Sequence, residues 1–496
     1  MKPPLYITTT LPYVNSDPHI GHAMEFIRAD IVARYRKLMG HEVFFNTGTD
    51  EHGIKIYQKA TEAGRVPQDY VDEYAAKFRD LLLALGISSD VHFIRTTDAQ
   101  HVAAAQEFWK MCDKARDIYK KEYKIKYCVG CELEKTESEL VDGRCPIHPS
   151  RELEIIEEEN YFFRFSKYQA RLLELYAKTP DFVIPSSRLG EIRSFVERGL
   201  EDFSISRLAS KMPWGVPVPG DSEQVMYVWF DALVSYISTL GWPKDLMTFE
   251  KWWNESGGVV QYCGKDNLRQ QAAMWQAMLM SAGLAPSRQI VIDGFITSGG
   301  KKMSKSEGNV IDPIAIVNEY GGNGTNGNNG AEILRYYVAR ELHPFEDSDF
   351  TMEKFKGAYN SHLANGLGNL VSRIMKMASA NLSGPVSIPK ESDANKTAQD
   401  FPENFKKAVE GFDLQTATNI IWEHVGVLDA TIQETAPFKL IKTDKEKAIT
   451  TIEDLVTKLY VVASMLQPIM PETSNKIKEL VKTNTAPELP IFPRRD

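Results

Sequence analysis

Positive charge, cysteine and long apolar runs are all in short supply in this chain. Asp and Glu number 67 against 58 Lys and Arg, which leaves a net charge of −9 over 496 residues. Such a surface is unsuited to general polyanion binding, so any nucleic-acid partner has to be met by local basic patches. No stretch reaches the roughly 18–20 uninterrupted apolar residues of a membrane helix, and Met1-Lys2-Pro3-Pro4 leads into a strand without a signal-like apolar region. The expectation is a cytoplasmic protein with no membrane partner.

Only five cysteines occur. Cys112 and Cys263 stand alone, while Cys128, Cys131 and Cys145 cluster with His148, which is the arithmetic of a metal site and not of a disulfide framework. The two tight pairs, Cys128-x₂-Cys131 and Cys145-x₂-His148, suit tetrahedral Zn²⁺ held by three thiolates and one imidazole. Four protein ligands leave no open position, so this metal is expected to be structural.

What the chain does have is length and alternation. At 496 residues it exceeds one ordinary domain, and two to four are expected. Tyr6–Leu11 reads as a strand, and Gly21–Leu38 carries Met24, Ile27, Ile31 and Leu38 at helical spacing, closed by Gly40. Val43–Phe45 is a second strand, Pro67–Leu85 a second long helix and Val91–Ile94 a third strand. This alternation predicts a parallel sheet with helices on both faces and ligands at the carboxyl ends of its strands. From about residue 115 to 225 the character changes, with Lys/Glu-rich segments, the Cys/His cluster and a Pro-rich hinge at 212–220. The alternation returns with Val259–Tyr262, a helix over 266–282 and Gln289–Ile292. Beyond about residue 350 only helical periodicity is visible, as in 358–378 and 416–431. Residues 323–330 (NGTNGNNG) have no periodicity and are expected to form a surface loop.

Two short motifs carry the chemistry. Pro18-His19-Ile20-Gly21-His22 is placed at a helix N-terminus after a strand, where unpaired N–H groups and a partial positive charge favour phosphate. His19 and His22 can add donors there, and Gly21 lets a ligand approach the backbone. Lys302-Met303-Ser304-Lys305-Ser306, after Gly299-Gly300, is placed on a loop that could bring Lys302 and Lys305 to the opposite side of a nucleotide, with the glycine pair as a hinge. Either motif alone proves little, since histidines at a helix start also serve capping and lysine loops are often merely solvated. Together, in this order, they favour ATP held from both sides, with catalysis by electrostatics and positioning.

With these motifs on view, the chain resembles the class I aminoacyl-tRNA synthetases and, in detail, their methionyl branch. The likeness runs over nearly the whole length. It includes Leu11-Pro12-Tyr13, the HIGH element, Thr47–Gly53 (TGTDEHG), the zinc knuckle, Ser204-Ile205-Ser206-Arg207, Tyr227–Ala232 (YVWFDA), Gly264-Lys265-Asp266, KMSKS and Leu367-Gly368-Asn369. The resemblance implies a Rossmann-type α/β parallel sheet with an inserted zinc-knuckle connective domain and a C-terminal all-helical anticodon-binding domain. The implied division is 1–114 and 226–296 for the two sheet halves, 115–225 for the insertion, 297–350 for the KMSKS loop and stem-contact region, and 351–496 for the helical domain. It also implies an enzyme that joins methionine to AMP using ATP and Mg²⁺, then passes the amino acid to its tRNA, initiator and elongator alike.

By the family's pattern, Leu11, Tyr13, Trp229, Ala232, Leu233, Tyr236, Gln271 and Trp275 would line the methionine pocket, and Asp50 would bind the α-amino group. A polarizable thioether gains from aromatic neighbours, and a buried ammonium requires a carboxylate; without the resemblance these aromatics could equally be core. Asp266 would contact the ATP ribose, with Glu25 beside the ATP and Arg207 as support for adenylation. Asn369 and Arg373, four apart on a helix, would meet anticodon bases, with Phe438 stacking on one. Two departures stand out: Gln271 and Phe438 occupy positions where the family usually has histidine and tryptophan. Homocysteine is a foreseeable competitor, since hydrophobic pockets discriminate weakly between near-isosteres. The chain ends without an appended nucleic-acid-binding module, and a monomer is expected. Synthetases for leucine, isoleucine, valine or cysteine, a small-molecule nucleotidylyltransferase and a silent RNA-binding paralogue are the competing readings.

Overall fold

The computed structural model describes residues 2–131, 133–135, 139–303, 308–321, 330–388 and 401–495. Its centre is a six-stranded sheet built from β1 (Leu5–Thr8), β2 (Val43–Thr49), β3 (His92–Arg95), β4 (Val183–Ile184), β5 (Val259–Gly264) and β6 (Gln289–Asp293). The spatial order is β3-β2-β1-β5-β6-β4, and every pair is parallel, with registers such as Tyr6 to Phe44 and Tyr6 to Val259. The central strands are buried almost without interruption, as a sheet covered on both faces requires.

Alternate residues of each strand feed two separate cores. Leu5, Ile7, Phe45, Val260 and Val291 join α1 (Ile20–Leu38) and α2 (Pro67–Ala84), whereas Tyr6, Phe44, Val259, Ile290 and Ile292 join α3 (Ala99–Lys114) and the helical run 270–281. The first core continues into the helices of the C-terminal half. Asp30 of α1 meets Arg335 at 2.7 Å, both fully buried, and Arg335 also donates to the carbonyls of Ile469 and Pro468 at 2.8 and 3.0 Å. The sheet and the helical region are therefore joined by packing and by an ion pair.

The insertion departs from the expected division at 115–225. Ile118–Cys128 and Glu154–Phe163 form a long antiparallel pair, but the chain then returns to the main sheet and adds β4 at its edge before leaving again. A two-residue strand carries no readable periodicity, so its place depends on pairing with β6. Gly299 and Gly300 both have positive φ, +62° and +74°, and form the turn of a hairpin between Ile296–Ser298 and Lys301–Lys302. Met352–Ala358, Tyr359–Gly368 and Asn369–Asn381 run on as one helix, followed by Glu403–Glu410, Leu414–Thr435, Lys445–Leu466 and Pro471–Thr483. The Asn/Gly-rich segment lies outside the described residues except for Gly330, which begins the helix Gly330–Arg340. No described helix is long and apolar enough to cross a membrane.

Candidate active site

The strand order reverses between β1 and β5, so the loops leaving their carboxyl ends part and open a crevice. A cavity of about 420 Å³ lies there. The segment after β1 is laid along one wall: Asp50 N–H donates to the Pro12 carbonyl at 2.9 Å, and Val14 N–H donates back to the Asp50 carbonyl at 3.1 Å. This pairing puts Leu11, Tyr13 and Asp50 on the cavity together with His19, Gly21, His22 and Glu25. Trp229, Ala232, Leu233, Tyr236, Asp266 and Gln271 line the same cavity.

His19 caps α1. Its Nδ1 accepts from Gly21 N–H at 3.1 Å, and His22 Nδ1 accepts from His19 N–H at 3.2 Å. The rings stack with centroids 3.8 Å apart. Burial lowers His19 to about 4 and pushes His22 well below the usual imidazole range, the neighbouring ring adding to the effect. Both rings are thus neutral, and since each Nδ1 accepts, the proton sits on Nε2. The site holds two neutral N–H donors at a helix N-terminus, a combination suited to phosphate oxygens. A side chain at position 21 would come within 2.9 Å of the His19 ring, so Gly21 preserves the imidazole geometry as well as ligand access.

Carboxylates surround the nucleotide end. Glu25 accepts from Thr10 N–H at 2.6 Å, and burial followed by the nearby Asp293 charge pushes its carboxyl well up. Asp293, at the end of β6, is raised to about 6 by burial despite its 2.9 Å bond to Arg28. Arg28 also donates to the carbonyls of His343 and Pro344 at 2.8 and 2.9 Å, tying the site floor to the segment after Arg340. Sequence reading missed Asp293 and Arg28, although a carboxylate ending a parallel strand is a position where ligands bind.

Two expected residues lie elsewhere. Trp275 is fully buried behind Tyr236, ring centroids 6.0 Å apart, and packs on Phe108 and Trp253; it shapes the pocket through Tyr236 without lining it. Arg207 opens onto a neighbouring cavity of about 290 Å³. Its guanidinium lies over the Tyr227 ring at 4.5 Å and donates to Ser204 Oγ and the Ser206 carbonyl at 2.7 and 2.8 Å. Strand Ser206–Leu208 belongs to a small separate antiparallel sheet, paired with Asp221–Met226.

A buried joint beneath the pocket also escaped the sequence reading. Asp231 accepts from His52 Nδ1 at 2.6 Å and from His101 Nε2 at 2.7 Å. It links the turn carrying Asp50 to the helix Val228–Leu233 that carries Trp229, Ala232 and Leu233. Its signal was present in the TGTDEHG and YVWFDA stretches, but nothing in their spacing pairs them.

Cys128, Cys131, Cys145 and His148 converge, their ligand atoms all within 4.8 Å of one another. Cys131 and Cys145 sulfurs lie 3.4 Å apart, and Cys131 Sγ is 3.2 Å from His148 Nδ1. These separations approach the edge of about 3.8 Å expected of a tetrahedral thiolate site, so the donor set fits a four-coordinate metal ion. Gly130 leaves room for the His148 ring, which a Cβ would meet at 2.5 Å. Lys55 Nζ donates to the Gly130 carbonyl at 2.8 Å, and Cys131 itself reaches the cavity wall, so the knuckle borders the cleft.

Of the KMSKS motif, Met303 lines the cavity that also holds the imidazoles. Lys302 is placed by its main chain, paired with Thr297; Lys305 lies outside the described residues. Outside the cavity lining, Asn369 is exposed, Arg373 is paired with Asp429, and Phe438 is half exposed.

The tRNA synthetases class I (M) family profile matches residues 5–154 and 134–375. The methionine–tRNA ligases of Nostoc sp. and Thermosynechococcus vestitus are 40% and 41% identical, over 95% and 96% of this chain and 88% and 90% of theirs. The solved structure of Mycobacterium tuberculosis methionyl-tRNA synthetase in complex with methionyl-adenylate superposes with a TM-score of 0.89 at 35% identity, covering 99% of this chain and all of that one. The reversed strand order and the cavity that holds the histidine pair together with Met303 of the KMSKS motif thus define a class I tRNA synthetase. Within that class, the chain belongs to the methionyl-tRNA synthetase family.

Proposed function

We infer that this chain activates methionine with ATP to methionyl-adenylate and pyrophosphate, then transfers methionine to the terminal adenosine of its tRNA. The carrying observation is the single cavity that joins a buried carboxylate and an aromatic pocket to a pair of neutral imidazole donors. Methionine enters with its side chain against Tyr13, Trp229, Ala232, Leu233 and Tyr236, and its ammonium on Asp50. Its carboxylate then faces the α-phosphate and displaces pyrophosphate, with no covalent enzyme intermediate. His19 and His22 donate from Nε2 to phosphate oxygens as charge builds on them. Lys302 and Lys305 supply charge from the other side, and Asp266 holds the ribose. Arg207 supports adenylation from the neighbouring cavity that it lines.

Mg²⁺ accompanies ATP and shields its phosphates. Cys128, Cys131, Cys145 and His148 would hold Zn²⁺, the metal that three thiolates and one imidazole select, and the ion would serve a structural role in the knuckle. Asn369, Arg373 and Phe438 meet the anticodon of tRNA for methionine, in initiator and elongator forms. Arg373 must exchange Asp429 for a base edge on binding, and Phe438 stacks without an indole donor. The protein works as a cytoplasmic monomer.

ATP–pyrophosphate exchange over a panel of amino acids tests the activation step: methionine should dominate, and exchange with leucine or cysteine instead would overturn the substrate. Charging of tRNAs with CAU and unrelated anticodons tests the partner; equal rates would contradict anticodon reading.

A further inference from the structure

Behind the apolar pocket, five buried side chains form one hydrogen-bonded series that fixes how a hydroxyl in the pocket wall points. It begins at a main-chain group: Ser287 N–H donates to Gln276 Oε1 at 3.0 Å. An N–H can only donate, so the carboxamide oxygen faces it and the NH₂ of Gln276 faces the other way. That NH₂ donates to the Gln271 carbonyl at 2.8 Å and to Ser287 Oγ at 3.0 Å. The carbonyl can only accept, which independently demands the same orientation.

The Ser287 hydroxyl, its oxygen engaged, sends its proton to Gln261 Oε1. Gln261 then turns its NH₂ to Gln271 Oε1 at 2.7 Å, and Gln271 turns its own NH₂ to Tyr236 Oη at 2.7 Å. Each link leaves the next a single orientation. Gln261, Gln271, Gln276, Ser287 and Tyr236 are all less than 5% exposed, so water does not loosen the series. The Tyr6 hydroxyl donates to the Tyr236 carbonyl at 2.9 Å and holds the main chain of the last member. Tyr236 ends as an acceptor of the Gln271 NH₂, and its ring lies on the cavity wall.

We propose that Gln261, Gln276 and Ser287 are positioning residues for substrate selection: through Gln271 they hold Tyr236 as an obligate donor toward the bound side chain. The pocket then favours a side chain with an acceptor at that depth, such as a thioether sulfur, over an all-carbon chain of the same shape. A methylene in place of sulfur would leave the buried hydroxyl unpaired. The inference rests on the functional reading above and adds to it the buried residues, Gln261, Gln276 and Ser287, that orient the pocket's hydroxyl.

The test compares kcat/KM for methionine and norleucine in ATP–pyrophosphate exchange, using the wild type, Tyr236→Phe, Ser287→Ala and Gln276→Glu. Ser287→Ala deletes one link. Gln276→Glu keeps the shape but presents acceptors at both ends: the bond to the Gln271 carbonyl is lost, and the side-chain links from Ser287 through Gln261 and Gln271 to Tyr236 reverse. The ratio is taken on one protein preparation, so a partly inactive fraction cancels; should Gln276→Glu fail to fold, the one-atom deletion in Ser287→Ala decides. The methionine-to-norleucine ratio should fall about tenfold in Tyr236→Phe and about threefold or more in the other two. A ratio lowered in Tyr236→Phe but unchanged in both positioning variants refutes the series. An unchanged ratio in Tyr236→Phe refutes the donor itself. A wild type with no methionine-dependent exchange would instead remove the functional reading, and this inference with it.

Discussion

Replacing Asp231 should loosen the substrate pocket from beneath without touching substrate. The carboxylate is completely buried and accepts from His52 and His101 at 2.6 and 2.7 Å. Burial alone would raise its pKa; the two imidazoles overcome that and hold it at about 2, against an ordinary 3.8. A depression of that size corresponds to about 2 kcal/mol of folding stability. It is fully present above pH 3.8 and is lost as pH falls toward 2. Asp231→Asn keeps the shape, and one imidazole can swap tautomer to accept from the new NH₂. His101 is able to do so because Ser238 Oγ, 2.9 Å from its Nδ1, can donate or accept. The expected loss is about 1–3 kcal/mol. Asp231→Leu strands two buried imidazoles with no acceptor and should cost about 3–5 kcal/mol. Urea unfolding measures both variants, and exchange kinetics should show KM for methionine rising by about tenfold or more, with kcat less affected, because the turn bearing Asp50 is no longer tied to the helix bearing Trp229. Equal losses in the two variants, or less than about 1 kcal/mol in Asp231→Leu, would refute the reasoning.

Asp50→Asn removes the counter-charge for the ammonium and should raise KM for methionine at least about 30-fold, read by exchange with ATP saturating. His22→Ala should lower kcat for adenylate formation by about 10²-fold in single-turnover assays; a rate within twofold of wild type would exclude a donor role. Because burial keeps His19 neutral down to about pH 4, its contribution to stability should hold above the unfolded value of 6.5 and decline as pH falls from there toward 4, visible as a pH-dependent loss that His19→Gln flattens. Elemental analysis should find one zinc per chain, and a chelator should expose residues 118–163 to limited proteolysis before ATP binding is lost; folded protein without zinc would remove that assignment.

Much of the fold was legible because its signals are local. Strand-like runs at Tyr6, Val43, Val259 and Gln289, and helical spacing at 21–38 and 67–85, reappear as strands and helices with ends shifted by up to four residues. The two-residue strand Val183–Ile184 was not legible, since its only qualification is a partner at Ile290 and Val291. The same holds for the site. Leu11, Asp50, Trp229 and Tyr236 were named through resemblance, but the loss of Arg207 to a neighbouring cavity and of Trp275 to the second core depends on which way particular strands and helices face. Asp293, Arg28 and the His52–Asp231–His101 joint were invisible because the bonded partners stand between 130 and 265 residues apart.

The order of amino acids by itself determined the chemistry on offer: a histidine pair at a helix start, lysines after a glycine turn, three thiolates and an imidazole in two tight pairs. These groupings lie within a few residues of each other, where covalent spacing fixes proximity. Tertiary structure decided which groups share a space and in what state. Only the reversal of strand order between Leu5–Thr8 and Val259–Gly264 opens a cleft for them, and only burial there makes the imidazoles neutral and turns a series of amides to point one hydroxyl inward. Solvation and hydrogen-bond direction are set by neighbours distant in the chain, and no local pattern encodes them.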